Sequence, residues 1–104
     1  MIKVLAFAAS LFAFSAVAAD KVTVSGLNVS NAAGYPAVEG LARNNTNATL
    51  ANVFVKFKLY NPAGQVVGNT IAHGQDIGPG ETWKFSAPAT GSFSRAELSQ
   101  VQAF

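Results

Sequence analysis

Residues 50–60 read LANVFVKFKLY, and their alternation constrains the chain more than any other feature. Val53, Val55, Phe57 and Leu59 fall on one side of a period of two, and Phe54, Lys56, Lys58 and Tyr60 fall on the other. On a helix these two sets would scatter around the axis; on a strand they separate cleanly into two faces. The first set predicts the core face of a central strand. The second predicts a wetted face on which two lysine stems lie along aromatic rings.

The rest of the chain after residue 20 follows the same pattern. Val22 and Val24 share a face with Gly26, whereas Leu27 and Val29 share the opposite one, which predicts a first strand that bulges near Gly26. Residues 37–44 alternate again, with Val38, Gly40 and Ala42 against Glu39, Leu41 and Arg43. The NNTNAT run that follows is rich in turn formers and predicts a hairpin connection. Asn61-Pro62-Ala63-Gly64 suits a type I turn, with proline second and glycine fourth. Further strands are expected from Gln65 to about His73, over Thr82–Ser86 with Trp83 in the core, and from Arg95 to Ala103, with GQDIGPGE as a turn between the first two. No helical period appears after residue 20. The expectation is an all-β fold: an immunoglobulin-like antiparallel β-sandwich of six or seven strands, in one domain over residues 20–104.

The first nineteen residues are different. Lys3 gives a short positive region, Val4 to Val17 form an uncharged apolar run, and Ala16, Val17, Ala18 and Ala19 supply a small-residue exit before Asp20. This order is that of a signal peptide over residues 1–19, cleaved near Ala19. The apolar run is shorter than the roughly 20 residues that a span needs, and no cysteine follows it to accept a lipid. A periplasmic or secreted location is therefore expected, with no membrane span after cleavage.

Counting then narrows the chemistry. The chain has no cysteine and one histidine, so thiolate catalysis, disulfides and zinc-finger sites are excluded. Its formal charge is only +2, and loss of Lys3 leaves six basic against five acidic residues, too balanced for a nucleic-acid footprint. Stability in a domain of about 85 residues must come from packing and backbone pairing, roughly 4–13 kcal/mol in total. Sequons at Asn28, Asn44 and Asn47 read as turn and strand-end residues.

Three segments carry a family resemblance. FKLYN (Phe57 to Asn61), PAGQVVG (Pro62 to Gly68) and IGPGETWKF (Ile77 to Phe85) resemble the FxLYD-type domain of exported bacterial and archaeal proteins, and VEGLARN (Val38 to Asn44) is similar to an earlier strand of that family. Phe57, Leu59 and Tyr60 match the motif, and Asn61 stands where it has aspartate. Gly64, Pro79, Gly80 and Phe85 fit its later part. The resemblance spans about residues 22–103. It implies an immunoglobulin-like sandwich in which these residues serve packing and turns, and it implies no catalytic site or cofactor.

Several residues remain as candidates for function. His73 near Asp76, with Ser86 or Thr82 as an imagined nucleophile, lacks any nucleophile signature and reads as a solvent-facing strand end. Asp76 and Glu81 could be imagined around calcium but read as turn residues, so no metal and no cofactor are expected. Tyr35, Phe54, Tyr60 and Trp83 could form a platform for sugar rings. Phe104 is expected to cap one end of the sandwich, and the last strand, through Val101, to offer a free edge for β-augmentation or self-pairing. The expected function is a non-enzymatic module that binds a protein or a cell-envelope component, with Phe54, Lys56, Lys58, Tyr60, Val101 and Phe104 as its surface. The alternative is a small-ligand, carbohydrate-type module using the same aromatics. A homo-oligomer paired through edge strands is a further expectation.

Overall fold

Alternating faces need two sheets to bury them, and the computed structural model provides two. It describes residues 21–31 and 34–104; the expected signal peptide lies outside these. Six strands follow in order: β1 (Val22–Ser30), β2 (Ala37–Asn44), β3 (Leu50–Tyr60), β4 (Val66–Ile77), β5 (Thr82–Pro88) and β6 (Arg95–Ala103). One sheet has the order β1-β2-β5 and the other β4-β3-β6, with every pairing antiparallel. The strands leave no helix among the described residues. Pairing β2 with β5 and β3 with β6 across the intervening chain gives the cross-connections of an immunoglobulin-like sandwich.

The core lies between the sheets. Val53, Val55, Phe57 and Leu59 of β3 are buried against Val22, Val24, Val38, Ala42, Phe85 and Ala87 of the facing sheet. Phe57 and Phe85 meet across the gap with ring centroids 5.9 Å apart. In β1 the register with β2 shifts between Ser25 and Asn28, where Gly26 takes φ 63°, so the expected bulge is present and the buried face ends at Val24.

Two connections depart from expectation. The NNTNAT run is not a hairpin: β2 and β3 belong to different sheets, and residues 45–49 carry the chain across the sandwich. The cause is Asn44, a fully buried polar side chain. Its Nδ2 donates toward the carbonyls of Ala48 (2.9 Å), Ile77 (2.8 Å) and Gly78 (3.0 Å), while its Oδ1 accepts from the Thr46 amide (2.8 Å) and hydroxyl (2.7 Å). The backbone adds Asn44 N–H to Glu81 O and Gly80 N–H to Asn44 O, both 2.9 Å. One side chain thus ties the crossing segment to the β4–β5 turn.

Strand β4 also runs to Ile77 instead of ending near His73. Gly74 and Gln75 are poor strand formers, yet Gly74 pairs with Val53 and sits under the Trp83 indole, which an added Cβ would approach to 2.7 Å. Tertiary packing overrides local propensity here. Trp83 is accordingly a partly buried lid on the core rather than a central core residue. The reversal that follows is Gly78-Pro79-Gly80-Glu81, with Gly80 at φ 74° and the Glu81 N–H bonded to Gly78 O at 3.0 Å.

Candidate interaction surface

The side chains of β3 that point away from the core form the middle row of a three-strand outer face. Register places Phe54 between His73 of β4 and Gln102 of β6, and Lys56 between Ile71 and Gln100. Lys58 lies between Asn69 and Glu97, and Tyr60 between Val66 and Arg95. Phe54, Lys56, Lys58 and Tyr60 therefore stand together as expected.

Their contacts define two ends. At one end the Phe54 ring stacks on His73 with centroids 4.4 Å apart and planes 7° from parallel. Phe104 meets the same ring edge-on at 6.1 Å. His73 Nε2 lies 2.9 Å from Asn52 Oδ1. At the other end the Arg95 guanidinium sits 4.3 Å above the Tyr60 ring and its Nε donates to Glu97 at 3.0 Å. Between them Lys56, Lys58, Val66, Asn69, Ile71 and Gln100 line a shallow depression of about 440 Å³.

Two of the expected surface residues move. Val101 is not on this face: it pairs with Val55 and packs against the core. The register of β6 against β3 slips between Lys56 and Phe57, making Ser99 an extra residue. That bulge inverts the alternation, so Gln100 and Gln102 face outward and Val101 and Ala103 inward. Phe104 does not cap the sandwich end. Its backbone bonds to Ala51 and Asn52 at 2.9 Å, and its ring, 60% exposed, joins the outer face beside Phe54.

The positions at which the sequence resembles the FxLYD motif occupy structural places. Phe57, Leu59 and Phe85 are buried. Asn61 Oδ1 accepts from Ala63 N–H (3.0 Å) and Gln65 N–H (2.9 Å), the work an aspartate would do, and Gly64 takes φ 83° to close the β3–β4 turn. Pro79 and Gly80 form the next reversal. His73 lies inside β4 rather than at its end, and its ring nitrogen meets Asn52 instead of Asp76. Thr82 and Ser86 belong to β5 in the opposite sheet, so the imagined triad is not assembled. Glu81 accepts the Gly78 N–H within its own turn. Among the described residues no group of three or more metal-ligating side chains gathers. The outer face presents aromatic area, amide groups and cationic heads.

Compared with family models, curated proteins and solved structures, the chain finds no significant match in any of the three.

Proposed function

We propose that this chain is a small exported, non-enzymatic domain that binds a protein or a cell-envelope component through the outer face of the β4-β3-β6 sheet. The observation that carries the reading is that one sheet face holds both the Phe54, His73 and Phe104 ring cluster and a depression lined by Lys56 and Lys58. Mixed aromatic and cationic groups on a rigid, preformed surface are what protein recognition uses. Export is supported by the order of charge, apolar run and small-residue exit in residues 1–19.

The same reading takes the chain as an FxLYD-type domain. Its support is the placing of Phe57 and Leu59 in the core, Tyr60 on the outer face and Asn61 in the turn that follows.

Carbohydrate binding is the second reading, and the geometry favours it less. A sugar ring needs an open aromatic face. The Phe54 face is covered by His73, the Tyr60 face by Arg95, and Trp83 lies over Gly74 and against Phe85; Tyr35 is exposed but belongs to the β1–β2 connection of the opposite sheet.

The test is retention of the protein on an envelope fraction from its own cells. Lys56→Glu with Lys58→Glu should abolish retention, and Lys84→Glu on the opposite sheet should leave it intact. Equal retention of all three would refute the outer-face reading. Quenching of Trp83 fluorescence by oligosaccharides, with retention unchanged, would replace it with the second.

A further inference from the structure

A two-sheet sandwich with open sheets has four edge strands, and an unguarded edge is a template for another strand. Among the described residues three of the four edges carry guards. Strand β1 is broken by the bulge at Ser25–Asn28 with its left-handed Gly26. Strand β5 is only seven residues long, bears Lys84 and ends in Pro88. Strand β6 has the Ser99 bulge and the paired charges of Arg95 and Glu97.

Strand β4 has none of these along most of its length. It is twelve residues long, contains neither proline nor lysine, and has Asp76, near its end, as its one charged residue. From Gly68 to Gln75 its pairing with β3 is unbroken; the register slips at its first two residues, and near its end Asp76 takes φ 54°. It also concentrates exposed apolar surface: Val66 is 55%, Val67 49% and Ile71 44% exposed. Toward the opposite sheet, the Thr70 hydroxyl donates to Pro88 O and the Ile77 carbonyl accepts from Asn44 Nδ2.

We infer that β4 pairs with β4 of a second copy of this chain, antiparallel about a two-fold axis at Ile71, joining two three-stranded sheets into one of six strands. The choice of occupant comes from self-complementarity. With the axis at Ile71, the two exposed isoleucines face each other, and Asn69 of each copy stands opposite His73 of the other. These are an apolar pair flanked by two polar pairs on the outer face, all within the regular part of the strand. The two Asp76 carboxylates fall at opposite ends of the ladder, so no like charges meet. An isologous contact of this kind closes at two copies and does not propagate. One strand pair buries little area, so the dimer is weak and concentration-dependent. The inference does not depend on the outer-face reading, because purified protein alone tests it.

The chain is expressed in full and purified as the cell leaves it, then followed by sedimentation from about 1 µM to 1 mM. A reversible monomer–dimer equilibrium is expected, and Ile71→Lys, which sets two lysines face to face across the axis, should weaken it at least about tenfold. Since the chain has no cysteine, Ile71→Cys introduces a unique thiol at the axis. It should oxidise to a disulfide-linked dimer at least about tenfold faster than Lys84→Cys on β5, because facing Cβ atoms lie within bridging reach. Urea midpoints of the variants, expected to match the parent, exclude misfolding as the cause. A monomer at all concentrations with equal oxidation of the two thiols would overturn the inference. So would a dimer that Ile71→Lys leaves unchanged.

Discussion

Removing the Asn44 side chain should be among the most damaging single changes in this domain, although it is polar and sits at the end of a strand. Asn44→Ala deletes the donor for the carbonyls of Ala48, Ile77 and Gly78 and the acceptor for the Thr46 amide and hydroxyl. The bond to Ile77 O is buried, and those to Ala48, Gly78 and Thr46 are part-buried. A buried group left without a partner costs about 1–3 kcal/mol, whereas a partly buried one recovers some of that from water. The expected loss is about 3–5 kcal/mol, a large share of the roughly 4–13 kcal/mol available to a domain of this size. In urea, with a slope near 1–1.5 kcal/mol/M, the midpoint should fall by about 2–5 M. Asn44→Asp keeps the shape but turns a carboxylate toward three carbonyl oxygens, so it should be at least as harmful at neutral pH. Its folded form takes up a proton more readily than its unfolded form, so that penalty should shrink as pH falls toward the ordinary aspartate range near 4. Asn47→Ala, on an exposed side chain in the same segment, is the control and should stay within about 0.5 kcal/mol. If Asn44→Ala unfolds within about 0.5 kcal/mol of the parent, Asn44 is not the anchor of the crossing segment.

Other expectations follow from the same packing. Phe57→Ala empties the centre of the core opposite Phe85 and should cost about 3–5 kcal/mol by chemical denaturation. Gly74→Ala forces a Cβ to within 2.7–2.9 Å of the Trp83 indole; it should cost about 1–3 kcal/mol and shift the tryptophan emission as the ring is displaced. Asn61→Asp should be neutral within about 0.5 kcal/mol, since both side chains accept from Ala63 and Gln65, while Asn61→Ala should lose about 0.5–1.5 kcal/mol. Glu97→Gln should change stability by less than about 1 kcal/mol, because its pairing with Arg95 is only partly buried.

Period-two patterning tells which residues share a face and says nothing about which strands are neighbours. That is why 37–44, 50–60 and 95–103 were legible as strands to the residue, while the link at 45–49 was not legible as a crossing between sheets. Asparagine-rich runs look alike whether they close a hairpin or anchor a crossover; the difference is that Asn44 is buried, which composition does not reveal. The extension of β4 through Gly74 and Gln75 depends on Trp83, a residue from another strand. The outer face was legible in β3, whose alternation is uninterrupted, and misread in β6, where Ser99 inserts one residue and exchanges Val101 for its neighbours. Counting from Phe104 back to Gln100 gives the right face; counting from Arg95 forward gives the wrong one. His73 was visible as a lone imidazole, but its stacking on Phe54 required knowing the β3–β4 register.

Site-specific photo-crosslinking in the producing cells asks whether the outer face of the β4-β3-β6 sheet contacts a partner. A photoreactive side chain is placed at Lys56 or Phe104 on that face, and at Lys84 on the opposite one, and crosslinked products are resolved by mass spectrometry. One reproducible adduct, other than a second copy of the chain, is expected from Lys56 and Phe104 and none from Lys84. An adduct from Lys84 alone, or the same adducts from all three positions, would contradict that contact.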